Sequence, residues 1–265
     1  MNSDEQFNTP WRRVASTIYK KPTDSKILGG VELDVTDLES FISEKRREGH
    51  KITLTHFFVM TLARAIKEEI PEFNTYVRRG RILPRPSIDV AVSVLRSDGN
   101  MTSVIVPDAG NLSFDELEKY MNTEISRSRK GNESEAMQGK NFLARLPWPL
   151  RNWFYKTYRV LTLNWGVSIP GLGMAPNRNG SFLLTNIGTL GLDYGFPALL
   201  PTSNFSFVLV MGGIQKKPVV INDSVAIRRI MSVTIAIDHR MADASHGALL
   251  FRYMKQAIRN PERFW

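Results

Sequence analysis

The feature that most constrains this chain is a period-two run, Met231, Val233, Ile235 and Ile237, which ends in Asp238-His239-Arg240-Met241-Ala242-Asp243 and passes into a helix-like segment near Ser245. Such alternation is the pattern of a half-buried strand, because successive side chains on a strand point to opposite faces. Just upstream, Val219 to Ile230 reads as a hairpin turning at Asn222-Asp223. A strand therefore returns from a hairpin and delivers a histidine, with an aspartate four residues later, to the turn before a helix. Histidine changes charge near neutral pH, so His239 at that strand end is placed to act as a base. The spacing by itself also fits a surface turn that holds an ion pair.

Other stretches repeat this mixture of periods. Val31, Leu33 and Val35 alternate as a strand, and Thr36-Asp37-Leu38-Glu39 has the form of a capping box opening a helix that ends before Gly49. Ser113-Phe114-Asp115-Glu116 is a second such box, with a helix that fades between Arg127 and Gly131. Phe58, Leu62, Ile66 and Ile70 recur every four residues with Ala65 between them, a continuous apolar stripe for packing in a core. Ile88, Val90, Val92 and Val94 alternate as another strand. Strands interleaved with helices, several of them joined by hairpins, predict an α/β fold with a mixed sheet rather than a purely parallel one.

At 265 residues one large domain accommodates all of these elements, and there is no internal repeat and no linker rich in Pro, Ala or Ser. Residues 1–10 read as a flexible arm without the apolar core of a secretory signal, which leaves 11–265 as the folded domain. No stretch reaches about 18 uncharged apolar residues, the length needed to span a bilayer. The absence of cysteine excludes disulfides, thiolate nucleophiles and thiolate metal sites, and it is compatible with the cytoplasmic location expected here.

A net charge of +9 points to an acidic partner, and nucleic acid, anionic lipid and phosphorylated cofactors are the choices. The basic run Tyr76-Val77-Arg78-Arg79-Gly80-Arg81 carries no nucleic-acid fold signature and reads as a solvated turn. Gly188, Gly191, Gly195, Gly212 and Gly213 do not compose a dinucleotide fingerprint. His50 and His56 lie beside a strand expected at Lys51 and show no evident partner. No His, Asp and Glu grouping has metal-ligand spacing, so no metal is expected.

One segment breaks the pattern. Residues 136–192 contain no acidic residue, and three of the five tryptophans fall there, around Leu146-Pro147-Trp148-Pro149-Leu150-Arg151-Asn152-Trp153. A basic, aromatic helix of this kind can lie on an anionic membrane, bind a partner, or pack over an active site within an oligomer.

In their order along the chain, several stretches match one family. Trp11-Arg12-Arg13-Val14-Ala15 stands for its opening Met-Arg-basic-x-Ile-Ala, Ser181-Phe182-Leu183-Leu184-Thr185-Asn186-Ile187-Gly188 for its Thr-Phe-Thr-Ile-Ser-Asn-Leu-Gly, and Asp238-His239-Arg240-x-x-Asp243 for its Asp-His-Arg-x-x-Asp-Gly. Val31 to Leu38, Lys51 to Asn74, Ile88 to Ser93 and Val104 to Ala109 fill the intervening core positions. From Trp11 onward the chain thus resembles the catalytic domain of the dihydrolipoyl acyltransferases of 2-oxoacid dehydrogenase complexes, which share their fold with chloramphenicol acetyltransferase. Relative to that family, roughly 30 residues are inserted at about 136–178.

The resemblance implies a two-layer chloramphenicol acetyltransferase-like α/β sandwich assembled as a homotrimer, with an active site between subunits. It implies acyl transfer between coenzyme A and a thiol, amine or hydroxyl, with His239 as general base and the Thr185 hydroxyl in place of the family's serine as oxyanion donor. Threonine keeps the hydroxyl but adds a methyl and restricts the rotamer; a strand threonine bonded to backbone is the plainer reading. Asp243 matches an aspartate that orients the histidine region through a buried ion pair with an arginine; Arg12 is the expected partner and Arg240 the local rival. Ala244 stands where the family writes glycine, so that turn is expected to differ. His246 is expected only to pack or to face solvent.

Residues that bind coenzyme A are not identified by these motifs. The family's lipoyl and subunit-binding domains do not fit in the ten residues before Trp11, so no covalently bound lipoate is expected on this chain. The acceptor is then on another protein or is a small molecule. Phe264 and Trp265 match apolar ends that join trimers into larger cores, and docking within the chain's own trimer is the competing expectation. A catalytically silent trimeric assembly protein of the same fold is the alternative function.

Overall fold

The computed structural model describes residues 24–97, 99, 101–129, 147, 150–168, 176–200 and 203–265. The strand leading to His239 is one arm of a long hairpin, β7 (Phe207–Ile221) and β8 (Ser224–Asp238). Asn222 and Asp223 turn it with φ of 48° and 62°, the left-handed pair that a tight two-residue hairpin demands. Only the half nearer His239 is built into a wider sheet. There β1 (Lys26–Asp34) pairs antiparallel with β8, from Lys26 opposite Asp238 to Asp34 opposite Ile230. On the other side β6 (Phe182–Asn186) runs parallel to β7. β4 (Val90–Leu95) follows parallel to β6, and β5 (Met101–Val106) closes the edge antiparallel to β4. The order β1-β8-β7-β6-β4-β5 is the expected mixed sheet.

Helices cover one face of this sheet. Among them are α1 (Thr36–Arg47), α2 (Leu54–Glu68) and α3 (Phe114–Arg129), while α5 (Ala244–Arg259) follows the His239 turn. Phe58, Leu62 and Ile66 of α2 share a core with Phe182, Phe207 and Ile235 of the sheet. The Phe182 and Phe207 rings stack with centroids 4.6 Å apart, and Phe73 meets Phe207 edge-on at 4.7 Å. Fully burying one such ring contributes on the order of 1.5–3 kcal/mol. Among the described residues, the opposite face carries a small cluster around Ala91, Phe205 and Val208.

The two expected capping boxes have different outcomes. Ser113 and Glu116 form theirs: the Ser113 N–H and hydroxyl donate to Glu116 Oε2 at 2.8 and 2.7 Å, and the Glu116 N–H donates to Ser113 Oγ at 3.3 Å. Thr36 and Glu39 do not. The Thr36 hydroxyl donates to Asp34 Oδ1 at 2.6 Å and accepts the Arg229 N–H at 2.8 Å, while Glu39 takes the Arg229 guanidinium. A charge-assisted partner arriving from β8 outcompetes the helix's own N–H groups.

Two further expectations are corrected. Segment 51–53 is not a strand; it leads directly into α2, which puts His56 inside that helix. The basic run is a hairpin, β2 (Thr75–Arg78) and β3 (Arg81–Pro84), turning at Arg79 and Gly80 with φ of 50° and 71°.

Within the expected insertion, α4 (Leu150–Arg159) runs on into a wider π-type turn, Val160–Asn164. It sits on the β2–β3 hairpin: the Arg79 guanidinium lies 3.9 Å from the centre of the Trp165 ring, and Gly166, at φ 72°, leaves only 2.9 Å between any added Cβ and the Arg78 guanidinium. Leu150, Trp153 and Val160 of this segment are exposed. No described helix is long and apolar enough to cross a membrane.

At the C-terminus, Trp265 packs on Phe41, His50 and Phe114 with centroids 5.7, 4.7 and 4.3 Å away. Phe264 meets Tyr253 edge-on, and Arg64 donates to its carbonyl at 3.1 Å. Both terminal aromatics thus dock against the chain's own helical layer.

Candidate active site

The turn after β8 is held from several sides. The His239 N–H donates to the Ser25 carbonyl and the Asp238 N–H to the Ser206 carbonyl, both at 2.9 Å, while Met241 N–H returns to the Asp238 carbonyl at 3.0 Å. These bonds fix where the His239 ring leaves the sheet. Its Nδ1 lies 3.1 Å from Asp243 Oδ1 and 3.3 Å from the Ala242 carbonyl oxygen. Both partners can only accept a hydrogen, so in the neutral ring the hydrogen sits on Nδ1 and the lone pair on Nε2. The ring is about half exposed (54%), so Nε2 is accessible to a reactant.

The Asp243 side chain is 65% exposed in the chain and meets His239 directly. Arg12 lies outside the described residues. Arg240, the local rival, is engaged by Asp238: Nε donates to Oδ1 at 2.9 Å and a terminal nitrogen reaches Oδ2 at 2.5 Å. Asp238 is nearly buried, and its hydrogen bonds raise the Arg240 pKa above the ordinary guanidinium value. This fork holds the residues on either side of His239 together.

Ala244 is the first residue of α5 and is absent from the left-handed positions, so replacing glycine there strains nothing. His246 has a role that the sequence reading missed. Its Nδ1 accepts the Asp243 N–H at 3.0 Å, capping α5 where a glutamate three residues into a helix would. The three-residue spacing from Asp243 was the available signal.

Thr185 sits in β6, half-buried, opposite Val210 of β7, and no described residue hydrogen-bonds its hydroxyl. Val210 in turn faces Thr234 of β8. His239 is five residues further along, so with ~3.4 Å per residue and ~4.8 Å per strand the two positions lie roughly 20 Å apart within one chain. The sheet therefore separates the two expected catalytic residues.

An open cavity of about 1060 Å³ adjoins the turn, with Ser25, Asp238 and Arg240 in its wall, whereas His239 is not among its lining side chains. Elsewhere the fold gathers His50, Asp115 and Glu118, whose ligand atoms fall within 4.8 Å, a grouping invisible in their linear spacing. Glu118 is already used there: it meets His50 Nδ1 at 3.1 Å and accepts the Lys51 N–H at 2.5 Å. His56 is buried, with Nδ1 2.8 Å from the Thr53 hydroxyl and Nε2 without a hydrogen-bond partner among the described residues. Burial first, then the nearby Arg46 charge, pushes its pKa down to about 4, against the pull of Glu118.

Gly212 and Gly213 occupy a bulge between Met211 and Ile214. A Cβ at Gly212 would strike the Asp193 carbonyl oxygen, and one at Gly213 the Asp193 carboxylate. Their function is to admit the loop after β6.

The sequence profile of the 2-oxoacid dehydrogenases acyltransferase (catalytic domain) family matches residues 4–144 and 172–265. The dihydrolipoyllysine-residue succinyltransferase component of 2-oxoglutarate dehydrogenase complex 1, mitochondrial, of Arabidopsis thaliana is 23% identical over 98% of this chain and 49% of its own length. The chain thus spans about half the length of that relative.

Among solved structures, a dihydrolipoamide acetyltransferase of Azotobacter vinelandii superposes with TM-score 0.65 at 14% identity, covering 91% of this chain and 84% of its own. It was studied for the roles of a serine, a histidine and, four residues beyond, an asparagine in its catalytic mechanism. A chloramphenicol acetyltransferase superposes with TM-score 0.52 at 14% identity, covering 95% of this chain and 96% of its own. These likenesses give the two-layer chloramphenicol acetyltransferase-like fold.

Proposed function

This chain belongs to the catalytic-domain family of the 2-oxoacid dehydrogenase acyltransferases, and from that premise we propose that it moves an acyl group between coenzyme A and a thiol, amine or hydroxyl acceptor. The observation that carries the proposal is the Asp243 carboxylate 3.1 Å from His239 Nδ1, which leaves Nε2 as a free base at an accessible strand end. Nε2 takes the proton as the acceptor attacks the thioester carbonyl. The tetrahedral intermediate then collapses, the C–S bond to coenzyme A breaks, and the departing thiolate recovers that proton from the imidazolium. No acyl-enzyme is needed.

The oxyanion of that intermediate requires a donor. Thr185 is suited to the task because its hydroxyl has no described partner, and it stands where the serine occurs in the family motif. The roughly 20 Å between Thr185 and His239 on the strand grid supports a site shared between copies. Each histidine would then meet the threonine of a neighbour in a homotrimer. The Azotobacter enzyme's serine, histidine and asparagine agree with this assignment, since asparagine, like Asp243, offers an oxygen to Nδ1. The docking of Phe264 and Trp265 on their own chain supports a trimer that does not extend into a larger core.

The test uses single variants and their mixture. His239→Ala lowers turnover of acetyl-coenzyme A with dihydrolipoamide by roughly 100- to 10000-fold, and Thr185→Ala also lowers it. Unfolding and reassembling equal amounts of the two variants restores about a quarter of the sites, because each copy can supply the group its neighbour lacks. Undiminished turnover in His239→Ala removes the base assignment. Absence of rescue removes the shared site.

A further inference from the structure

The cavity beside the His239 turn has an unbalanced charge. Of the four cationic side chains among the described residues of its wall, two are neutralised locally: Lys26 pairs with Asp24 at 2.7 Å, and Arg240 with Asp238 at 2.5 Å. Arg79 and Arg159 have no acidic partner among the described residues, so the described wall keeps an excess of two positive charges.

Arg79 is nonetheless held in place. One face of its guanidinium rests on the Trp165 ring, which leaves the N–H edge free for the paired hydrogen bonds that a carboxylate or phosphate accepts. Gly166 lets the backbone that carries Trp165 lie close against the Arg78 guanidinium, where a side chain would not fit. Leu163, Leu199 and Phe205 line the same cavity with apolar surface. A space of about 1060 Å³ is ample for a small-molecule ligand. Arg159, Leu163 and Trp165 all come from the 145–171 stretch that the family profile leaves unmatched.

Building on the acyl-transfer reading, we propose that this cavity binds a substrate with an anionic group on an apolar body. Arg79 and Arg159 hold the anion, Trp165, Leu163 and Phe205 hold the apolar part, and the inserted segment is the specificity wall. The anion can be a phosphate of the coenzyme A donor or a carboxylate or phosphate of the acceptor, since both offer the same oxygen pair to a guanidinium.

Hexyl phosphate, titrated calorimetrically into the full chain beside hexanol as its uncharged counterpart, tests this directly. The expected result is saturable binding of hexyl phosphate at least tenfold tighter than that of hexanol. Arg79→Gln and Arg159→Gln should each weaken it about fivefold or more, the scale of one lost charge-assisted hydrogen bond. Arg127→Gln, at an exposed arginine on α3, should leave it unchanged.

Equal affinity for the two probes overturns the proposal, as does hexyl phosphate binding that is indifferent to the double change at Arg79 and Arg159. Displacement of the probe by coenzyme A, with a raised KM for acetyl-coenzyme A in Arg79→Gln, assigns the anion to the donor. Failure of coenzyme A to displace it assigns the anion to the acceptor. His239→Ala should bind hexyl phosphate as the parent does. A lost anion site with intact His239-dependent turnover therefore refutes this inference alone, and the converse refutes only the acyl-transfer reading.

Discussion

The His239 turn and the inserted helix α4 border the same part of the molecule but are attached to it by different physics. The turn grows from β8, whose last residues are buried, and backbone hydrogen bonds tie it to Ser25 and Ser206 on neighbouring chain segments. The described part of the insertion rests instead on a guanidinium stacked over a tryptophan and on one close glycine contact, and it leaves Trp153 68% exposed. A reacting nitrogen must be placed to a fraction of an ångström, which a rigid sheet end supplies. A wall that selects substrates by charge and shape needs no such precision and can be added to the outside of an existing fold. The comparison predicts that equivalent truncations will be costly in the sheet and nearly silent in α4.

The largest effect is expected for Phe207→Ala. Phe207 is fully buried in β7, stacked on Phe182 and met by Phe73, so its loss opens a cavity that neighbouring rings on two sides cannot fill. Destabilisation of about 3–5 kcal/mol is expected in urea unfolding. A value under about 1 kcal/mol would mean that the sheet side is as pliant as the insertion.

Acid should also find the rigid side first. His56 in α2 has a pKa lowered to about 4 by burial, against 6.5 for the ordinary imidazole. As pH falls below 6.5 the unfolded chain binds a proton that the folded chain refuses, so stability declines, and the decline is complete below about 4. The loss from this residue is roughly 2 kcal/mol by pH 5. Urea midpoints at pH 7 and 5, for the parent and for His56→Gln, isolate it: the substitution should flatten the slope, and parallel slopes would exclude His56 as the cause.

A smaller effect tests the caps. Ser113→Ala removes a box whose two reciprocal bonds are formed, and about 1 kcal/mol of stability should go with it. Equal stability of variant and parent would place Ser113 with the unformed box at Thr36.

That contrast also marks the limit of what the sequence disclosed. The period-two runs, the four-residue stripe of α2 and the turn at Asn222-Asp223 were legible because each depends on the spacing of neighbours. The Thr36 box failed because Arg229, nearly two hundred positions away, offers a stronger partner. Near the strand end, the turn that carries His239 and Asp243 was legible from the spacing, but their direct contact was not, and neither was the bond from Asp243 to His246. The excess positive charge of the cavity was hidden for the same reason. It depends on Lys26 and Arg240 being neutralised while Arg79 and Arg159 have no acidic partner among the described residues, which only the three-dimensional pairing reveals.

The smallest expected effect is on the inserted side, and it is the sharpest test of the comparison. Trp153 would rank with Phe207 by size and hydrophobicity, yet on α4 it is 68% exposed, and Leu150 beside it is 56% exposed. Removing a ring that is already largely in water gives up little burial, so Trp153→Ala should change stability by no more than about 0.5 kcal/mol. The same substitution read by light scattering and by hexyl phosphate titration should leave the assembled mass and the anion affinity as they were, because Arg79 rests on Trp165 and not on Trp153. A loss of several kcal/mol, or dissociation of the assembly, would show that α4 is buried between copies and belongs to the rigid part of the molecule after all.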